Sequence, residues 1–402
     1  MAVNPPPMGD LTPIDGISLG AAQAGVRYRD RLDLAVVLLD PGSVVGGVFT
    51  RNAFCAAPVV VARERLGGAR GLVINSGNAN AATGKRGLAD ARATCAHLAA
   101  KSGVEEHEVL PFSTGVIGEF LDMDAMRRGI DAAVANARPA GWTDAARAIM
   151  TTDTEPKAVS VRGTVNGRGV NATGMVKGSG MIRPDMATML AFLGTDASLT
   201  ASAANALARD LAERSFNRLT IDGDTSTNDA FVVMATGAAG GDAISSPSDA
   251  YDELLDLLTP LVVELAERTV RDGEGATKFV TVRVEEGANA AECLQVAYTI
   301  AHSPLVKTAL FAGDPNWGRF CMAIGRAGAD IDPDAVDLYL DDVQVASGGL
   351  VAQTYTEQAG AAVMSQDEFT VRVLLGRGTA TETVWTSDFS YEYVRINAEY
   401  RS

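Results

Sequence analysis

From Lys177 to Leu190 the chain reads Lys-Gly-Ser-Gly-Met-Ile-Arg-Pro-Asp-Met-Ala-Thr-Met-Leu, which places Lys177, Ser179, Arg183 and Asp185 just upstream of the hydroxyl of Thr188. A threonine hydroxyl is a weak nucleophile unless a base stands beside it. A cut of the Ala187–Thr188 bond would supply one, because the freed α-amine titrates near ~8 whereas a lysine titrates near ~10.4. The stiff χ1 of threonine would keep the hydroxyl aimed. Gly178 and Gly180 admit backbone shapes closed to other residues, Pro184 stiffens the approach, and Met189 to Leu193 are apolar enough to anchor the far side. A glycine-rich loop entering a buried strand would share this composition, so support must come from elsewhere in the chain.

One such place is Ser113-Thr-Gly-Val-Ile-Gly118, which follows the apolar Val109-Leu110. A strand opening into Ser-Thr-Gly presents backbone N–H groups and a hydroxyl together, which is what stabilising a developing oxyanion requires; a plain turn has the same residues. Asp222-Gly-Asp-Thr-Ser-Thr-Asn228 looks superficially like a calcium loop. It lacks the glycine at the sixth position and the closing glutamate. His97 and His107 have no metal-ligand partners at useful spacing, His302 reads as the C-terminal cap of its helix, and Cys55, Cys95, Cys293 and Cys321 form no CxxC pair. No metal site or disulfide framework is therefore expected, and free thiols point to a reducing compartment. The phosphate-loop and zinc-protease signatures are missing from the sequence.

The elements that must position these groups can be read from periodicity. Leu34–Leu39, closed by Asp40-Pro-Gly42, reads as a buried strand. Val48-Phe49, Pro58–Ala62 and Gly71–Ile74 are similar runs and predict a sheet-rich front half. Helical spacing is expected over 86–102, 122–137, 142–150, 199–216, 249–271 with Ser248 as cap, and 288–301. A hairpin over 159–170 leads into the Lys177 block. From Phe279 onward, alternation in Val280, Val282 and Val284 predicts a strand, with further strands at 336–340, 343–346, 369–374 and 381–385. Gly313-Asp-Pro-Asn316 beside Trp317 should make a tight corner, serving either structure or a pocket wall. The chain has 402 residues, 47% of them hydrophobic, and a formal net charge of −16. That balance argues for a globular fold and against nucleic acid or an anionic membrane as partner. No segment is apolar for long enough to span a bilayer, and the N-terminus shows no signal-peptide pattern, so a cytoplasmic protein is expected.

Several blocks, in order, carry a resemblance. They are Asn75-Ser-Gly-Asn-Ala-Asn80, Ser113–Gly118, Met150-Thr-Thr-Asp153, Lys177–Leu190, Asp222–Asn228, Asp272-Gly-Glu-Gly275, Leu305-Val-Lys-Thr-Ala309 and Gly313-Asp-Pro-Asn-Trp-Gly-Arg319. Together they run over nearly the whole chain, which resembles the ornithine acetyltransferase family, the glutamate N-acetyltransferases of arginine biosynthesis. The resemblance implies an α+β fold: a layered α/β/β/α sandwich of the self-processing aminopeptidase and ornithine acetyltransferase type over 1–280, with a smaller C-terminal α+β subdomain over 281–402. It makes Ala187–Thr188 the self-cleavage bond, giving chains 1–187 and 188–402, and makes Thr188 the nucleophile. It assigns the oxyanion hole to Thr114 and Gly115.

For substrate binding the resemblance implies one of Thr151 and Thr152, with Thr152 preferred, together with Lys177, Thr188, Glu274, Asn397 and the terminal Ser402, where many members carry threonine. Glu274 is expected to face ammonium groups; Lys177, Asn397 and the terminus are expected to face carboxylates. The implied reaction moves acetyl from N-acetylornithine to glutamate through acetyl-Thr188. It uses no cofactor, and acetyl-CoA serves some members as an alternative acetyl source. The implied assembly has two α and two β chains. A self-processing aminopeptidase or amidase would share the same nucleophile logic, whereas a non-catalytic amino-acid-binding protein would stay in one piece.

Overall fold

A computed structural model describes residues 2–183 and 189–400. The chain forms two compact units, a larger one of residues 7–217 and 224–269 and a smaller one of residues 2–6, 218–223 and 270–400.

In the larger unit, β1 (Ile17–Ala22), β2 (Leu34–Leu39), β4 (Gly71–Asn78) and β5 (Val109–Val116) make one sheet in the order β1-β2-β4-β5. A second sheet runs β3-β10-β8-β7-β6 and comprises β3 (Val44–Phe49), β6 (Lys157–Val165), β7 (Arg168–Lys177), β8 (Leu190–Thr195) and β10 (Ala230–Ala235). The two sheets share one apolar core, in which Phe112 of β5 meets Phe192 of β8 edge-to-face at 5.1 Å. The outer face of the first sheet carries α2 (Gly84–Ser102) and α3 (Met123–Ala135), whose Cys95, Leu98, Met126 and Ile130 pack against Leu34, Val36 and Val73.

On the outer face of the second sheet, glycines in the strands let helices approach closely. A Cβ on Gly46 would fall 2.3 Å from the Ala204 backbone in α5 (Ala201–Arg214), and one on Gly174 would fall 2.9 Å from Leu265 in α6 (Asp249–Arg271). The layers are therefore α/β/β/α, as expected. Asn166 and Gly167, with φ of 48° and 73°, turn the β6–β7 hairpin as a twist-matched two-residue loop.

One expectation fails. Pro58–Ala62 is not a strand; it lies in α1 (Ala57–Arg65). Its valine run fits a buried strand and a buried helix equally well, and Pro58 sits in the first helical turn, where its missing N–H costs nothing. The short α4 (Trp142–Ala148) completes this unit's helices and buries Trp142 between the sheets.

The smaller unit is built on a sheet ordered β14-β13-β12-β15-β11-β16-β9, comprising β9 (Leu219–Thr220), β11 (Phe279–Gly287), β12 (Asp337–Leu340), β13 (Val343–Ser347), β14 (Leu350–Val351), β15 (Glu368–Leu374) and β16 (Ala380–Ser387). Its core joins Val280, Val282 and Val284 to α7 (Ala290–Ala301), α8 (Pro304–Ala312), α9 (Trp317–Gly325) and α10 (Glu357–Met364). Gly313, at φ 65°, ends α8, and Asp314–Asn316 turn directly into α9, so this stretch is the expected corner. His302 caps α7, and its ring bonds Thr220. The last helix, α11 (Tyr391–Ala398), is capped by Ser390, which accepts the N–H groups of Glu392 and Tyr393.

Candidate active site

The expected cleavage bond, Ala187–Thr188, lies outside the described residues, so its surroundings are defined by the strands on either side. β7 ends at Lys177 and β8 begins at Leu190, and these two residues are antiparallel partners. The Met189 carbonyl accepts the Ala230 N–H at 2.9 Å, which ties the start of β8 to β10. A Cβ on Gly178 would fall 2.9 Å from Ile182 and 3.2 Å from Met189, so the described ends of the connecting segment converge on this glycine.

Lys177 is the hub of the polar groups around this point. Its buried ammonium donates to the Thr151 hydroxyl at 2.7 Å and the Thr114 hydroxyl at 3.2 Å, and lies 4.0 Å from Asp153. The Asp153 carboxylate is itself sealed from solvent. One oxygen accepts the Lys157 ammonium and the Gly178 N–H, each at 2.7 Å; the other accepts the Thr151 N–H at 2.9 Å. Burial alone would raise the Asp153 pKa, but the charges of Lys157 and Lys177, with these hydrogen bonds, outweigh it and hold the carboxyl well below the usual range. Asp153 is thus a permanent anion that fixes Lys177, not a base that shuttles protons.

Thr114 and Gly115 close β5. The parallel β4–β5 register sets Ser76 beside Thr114 and Gly77 beside Gly115, with an irregularity at Asn78. Gly115 has φ of +132°, and a Cβ there would lie 2.2 Å from the Gly77 carbonyl carbon. Only glycine lets the two strand ends lie so close. Neighbouring side chains lock these ends: the Ser113 hydroxyl donates to Asn75 at 2.6 Å, and the Asn228 amide donates to the Ala79 and Ser113 carbonyls. The Asn75–Asn80 segment serves the same framing, because its buried amides and hydroxyl are spent on backbone carbonyls such as those of Asn78, Ala148 and Gly87. Backbone donors held this rigidly, with a cation one hydroxyl away, can stabilise an oxyanion.

The two candidate threonines take different partners. Thr151 bonds Lys177, while the Thr152 hydroxyl pairs with the Ser179 hydroxyl at 2.7 Å. Both stand within this cluster. Asp153, Lys157 and Asp229 were not among the expected site residues. Asp229 precedes β10 and is fully buried; burial pushes its pKa well up, against the opposing pull of a Ser226 hydrogen bond and the Lys177 charge. Its Oδ2 has no hydrogen-bond partner among the described residues. Among the described residues, no group of three or more His, Cys, Asp or Glu is arranged to hold a metal ion.

Glu274 and Asn397 belong to the smaller unit and meet there. The Asn397 amide donates to the Glu274 carboxylate at 2.8 Å and to the Tyr393 carbonyl at 3.0 Å. Glu274 is buried. Ser402 lies outside the described residues.

Comparison with known proteins adds sequence-wide evidence. A model of the ArgJ family matches residues 18–402. The arginine biosynthesis bifunctional protein ArgJ of Psychrobacter arcticus is 54% identical over 396 residues, covering 98% of this chain and 97% of that protein. The protein of the same name from Pseudomonas syringae pv. tomato is 51% identical over 405 residues, with both chains fully covered. A crystal structure of the ArgJ protein of Bacillus halodurans aligns with 51% of this chain and 96% of that chain, at 35% identity and a TM-score of 0.49. No helix among the described residues is long and apolar enough to cross a membrane.

Proposed function

This chain belongs to the ArgJ family, and from that membership we propose that it moves the acetyl group of N-acetylornithine to glutamate by way of Thr188. It is an acetyltransferase of arginine biosynthesis. The match to an arginine biosynthesis bifunctional protein over 98% of the chain carries this reading.

In the proposed cycle, the precursor first cuts itself. The Thr188 hydroxyl adds to the Ala187 carbonyl carbon, and the oxyanion is held by Thr114 and Gly115. The peptide C–N bond breaks, its nitrogen takes up a proton, and an ester is left on Thr188. Water hydrolyses that ester, freeing residues 1–187 from 188–402. The new α-amine then takes the hydroxyl proton as Thr188 attacks N-acetylornithine, and returns it to the departing ornithine amine. Glutamate accepts the acetyl group in a second passage through the same hole. The Lys177–Thr114 bond supports this assignment, since it fixes the hydroxyl end of the hole and holds a positive charge beside it.

Under this reading Glu274 receives substrate ammonium groups, while Lys177, Asn397 and Ser402 receive carboxylates and Thr152 lines the site. The cycle needs no cofactor; acetyl-CoA enters, where it is used, as a second acetyl donor. The processed protein assembles as two α and two β chains in the cytoplasm.

Intact-mass measurement and N-terminal sequencing of the purified protein test the first step, with Thr188→Ala as control. A fragment beginning Thr-Met-Leu-Ala is expected from the parent and a single 41.8 kDa species from the variant. A parent that never yields this fragment refutes the cycle. Release of acetate to water in place of N-acetylglutamate would instead mark an amidase. Glu274→Gln should raise KM for N-acetylornithine while leaving self-cleavage intact, and equal loss of both would refute its role.

A further inference from the structure

The smaller unit holds a buried lysine for which this reaction has no use. Lys307, in α8, is shut off from solvent along its whole length. Its ammonium donates to the Thr386 hydroxyl at 2.9 Å and to the Ser387 carbonyl, and lies 4.6 Å over the Phe389 ring. Its own carbonyl accepts the Phe389 N–H at 3.3 Å. Burial brings its pKa down to about 7, against the opposing pull of Asp388 and Asp222, the charged groups that face it. Tyr393 bonds that same Asp222 from α11. An apolar side chain would fill this space without the desolvation cost. What distinguishes the lysine is the set of groups it clamps.

The clamped segment, 386–389, carries Asp388. One oxygen of Asp388 accepts the N–H groups of Thr277 and Lys278 at 2.8 and 3.0 Å, and the other accepts the Thr277 hydroxyl at 2.7 Å. These bonds pin the downstream end of the loop that carries Glu274. The next residue but one, Ser390, donates to the Gly275 carbonyl at 2.6 Å while capping α11. Gly275, at φ +66°, is pressed so tightly on α11 that a Cβ would lie 2.3 Å from the Tyr393 nitrogen. One turn further along α11, Asn397 reaches Glu274. An unbroken run of bonds thus leads from Lys307, through 386–390, to both partners of the Glu274–Asn397 pair.

We propose that Lys307 is a positioning residue for substrate binding, holding the 386–390 segment in the geometry in which Glu274 and Asn397 meet. The inference rests on the reading of Glu274 and Asn397 as substrate residues. It adds that donor affinity depends on a buried lysine acting through them.

Kinetics of the full-length protein test it, using Lys307→Met, Thr277→Val, Glu274→Gln and the double variant Lys307→Met/Glu274→Gln. N-acetylornithine is varied at saturating glutamate, and processing is followed by intact mass. Lys307→Met is expected to process like the parent and to raise KM by about tenfold, with kcat within about threefold, as befits loss of buried hydrogen bonds that serve binding. Thr277→Val should raise KM by about threefold. The double variant should be no worse than Glu274→Gln alone, because both substitutions break one device. Multiplicative effects in the double variant, or a loss of kcat and processing with KM unchanged, would overturn the proposal. If Lys307→Met does not fold, Thr277→Val decides, and an unchanged KM refutes the inference. A Glu274→Gln variant with parental KM would defeat the substrate reading first and this inference with it, whereas a raised KM there with parental KM in Lys307→Met defeats the inference alone.

Discussion

Gly115→Ala probes the proposed oxyanion hole without touching a polar group. The added Cβ would stand 2.2 Å from the Gly77 carbonyl carbon and 2.6 Å from both the Asn78 nitrogen and the Gly77 oxygen. Carbon atoms in contact sit about 3.5 Å apart. Alanine has no rotamer to escape into, so the ends of β4 and β5 must part by roughly 1 Å. That stretches ladder bonds to about 4 Å, beyond hydrogen-bonding range. Losing about two such bonds costs ~1 kcal/mol each, and a non-glycine residue at φ +132° costs about 1–3 kcal/mol more. The expected destabilisation is therefore about 3–5 kcal/mol, read as a drop of roughly 5 °C in Tm. A shift of ~1 Å in the hole donors should also slow self-cleavage by about 10²-fold. A time course of the 41.8 kDa precursor measures the second effect. Gly118→Ala is the control, since Gly118 also has positive φ, at +87°, but nothing lies within 4 Å of its Cβ position. It should cost about 1 kcal/mol of backbone strain and leave cleavage nearly untouched. If Gly115→Ala matures at the parental rate with Tm within about 2 °C of the parent, the hole is not built on this backbone.

Other predictions concern buried ionisable groups. Asp153→Asn leaves the buried Lys157 and Lys177 ammoniums without their shared anion and should cost about 3–5 kcal/mol, with maturation lost alongside; a Tm within 2 °C of the parent would count against the role given to Asp153. Because the folded pKa of Asp153 is depressed, its contribution is complete above the unfolded value near ~3.9 and is lost progressively as pH falls from there towards the lower folded one. Thermal melts between pH 3 and 6 should accordingly show a flatter acid limb in Asp153→Asn than in the parent. Burial pushes the Cys95 thiol up to about 12, so native protein treated with iodoacetamide at pH 8 should carry label at half-buried Cys55 and Cys321 long before Cys95. Peptide mapping reads this, and equal labelling of Cys95 would contradict the packing of α2 on its sheet.

The parts of the fold that could be read in advance have a repeating local signal. The helices at 84–102, 201–214 and 249–271 show apolar residues at helical spacing and recognisable ends. The β11 strand alternates in period two, and Asn166-Gly167 marks the β6–β7 hairpin. Pro58–Ala62 gave the wrong element because a run of valines has no period. The short α8, α10 and α11 were missed even though Ser303, Thr356 and Ser390 cap them; eight or nine residues hold too few turns to display a face. For the site, Lys177 and Thr114 stood out as polar groups in glycine-rich surroundings, but their bond joins positions 63 apart, and no local pattern encodes it. Asp153 and Lys157 left a weak trace, opposite charges four apart at the entry to an apolar strand. Asp229 left none, since the burial that raises its pKa is wholly three-dimensional.

The strand order β3-β10-β8-β7-β6 bears on what maturation makes of the molecule. A break after residue 187 assigns β8 and β10 to one polypeptide and β3, β6 and β7 to the other, so the inserted pair is zipped along both edges to strands of its former self. The two pieces cannot drift apart without tearing a sheet, and folded protein should scarcely register the lost linkage. Denatured protein would, because recovery then becomes a bimolecular search, second order in protein and defeated by dilution. A precursor locked by Thr188→Ala should refold from urea with yields independent of concentration, whereas the matured pair should not.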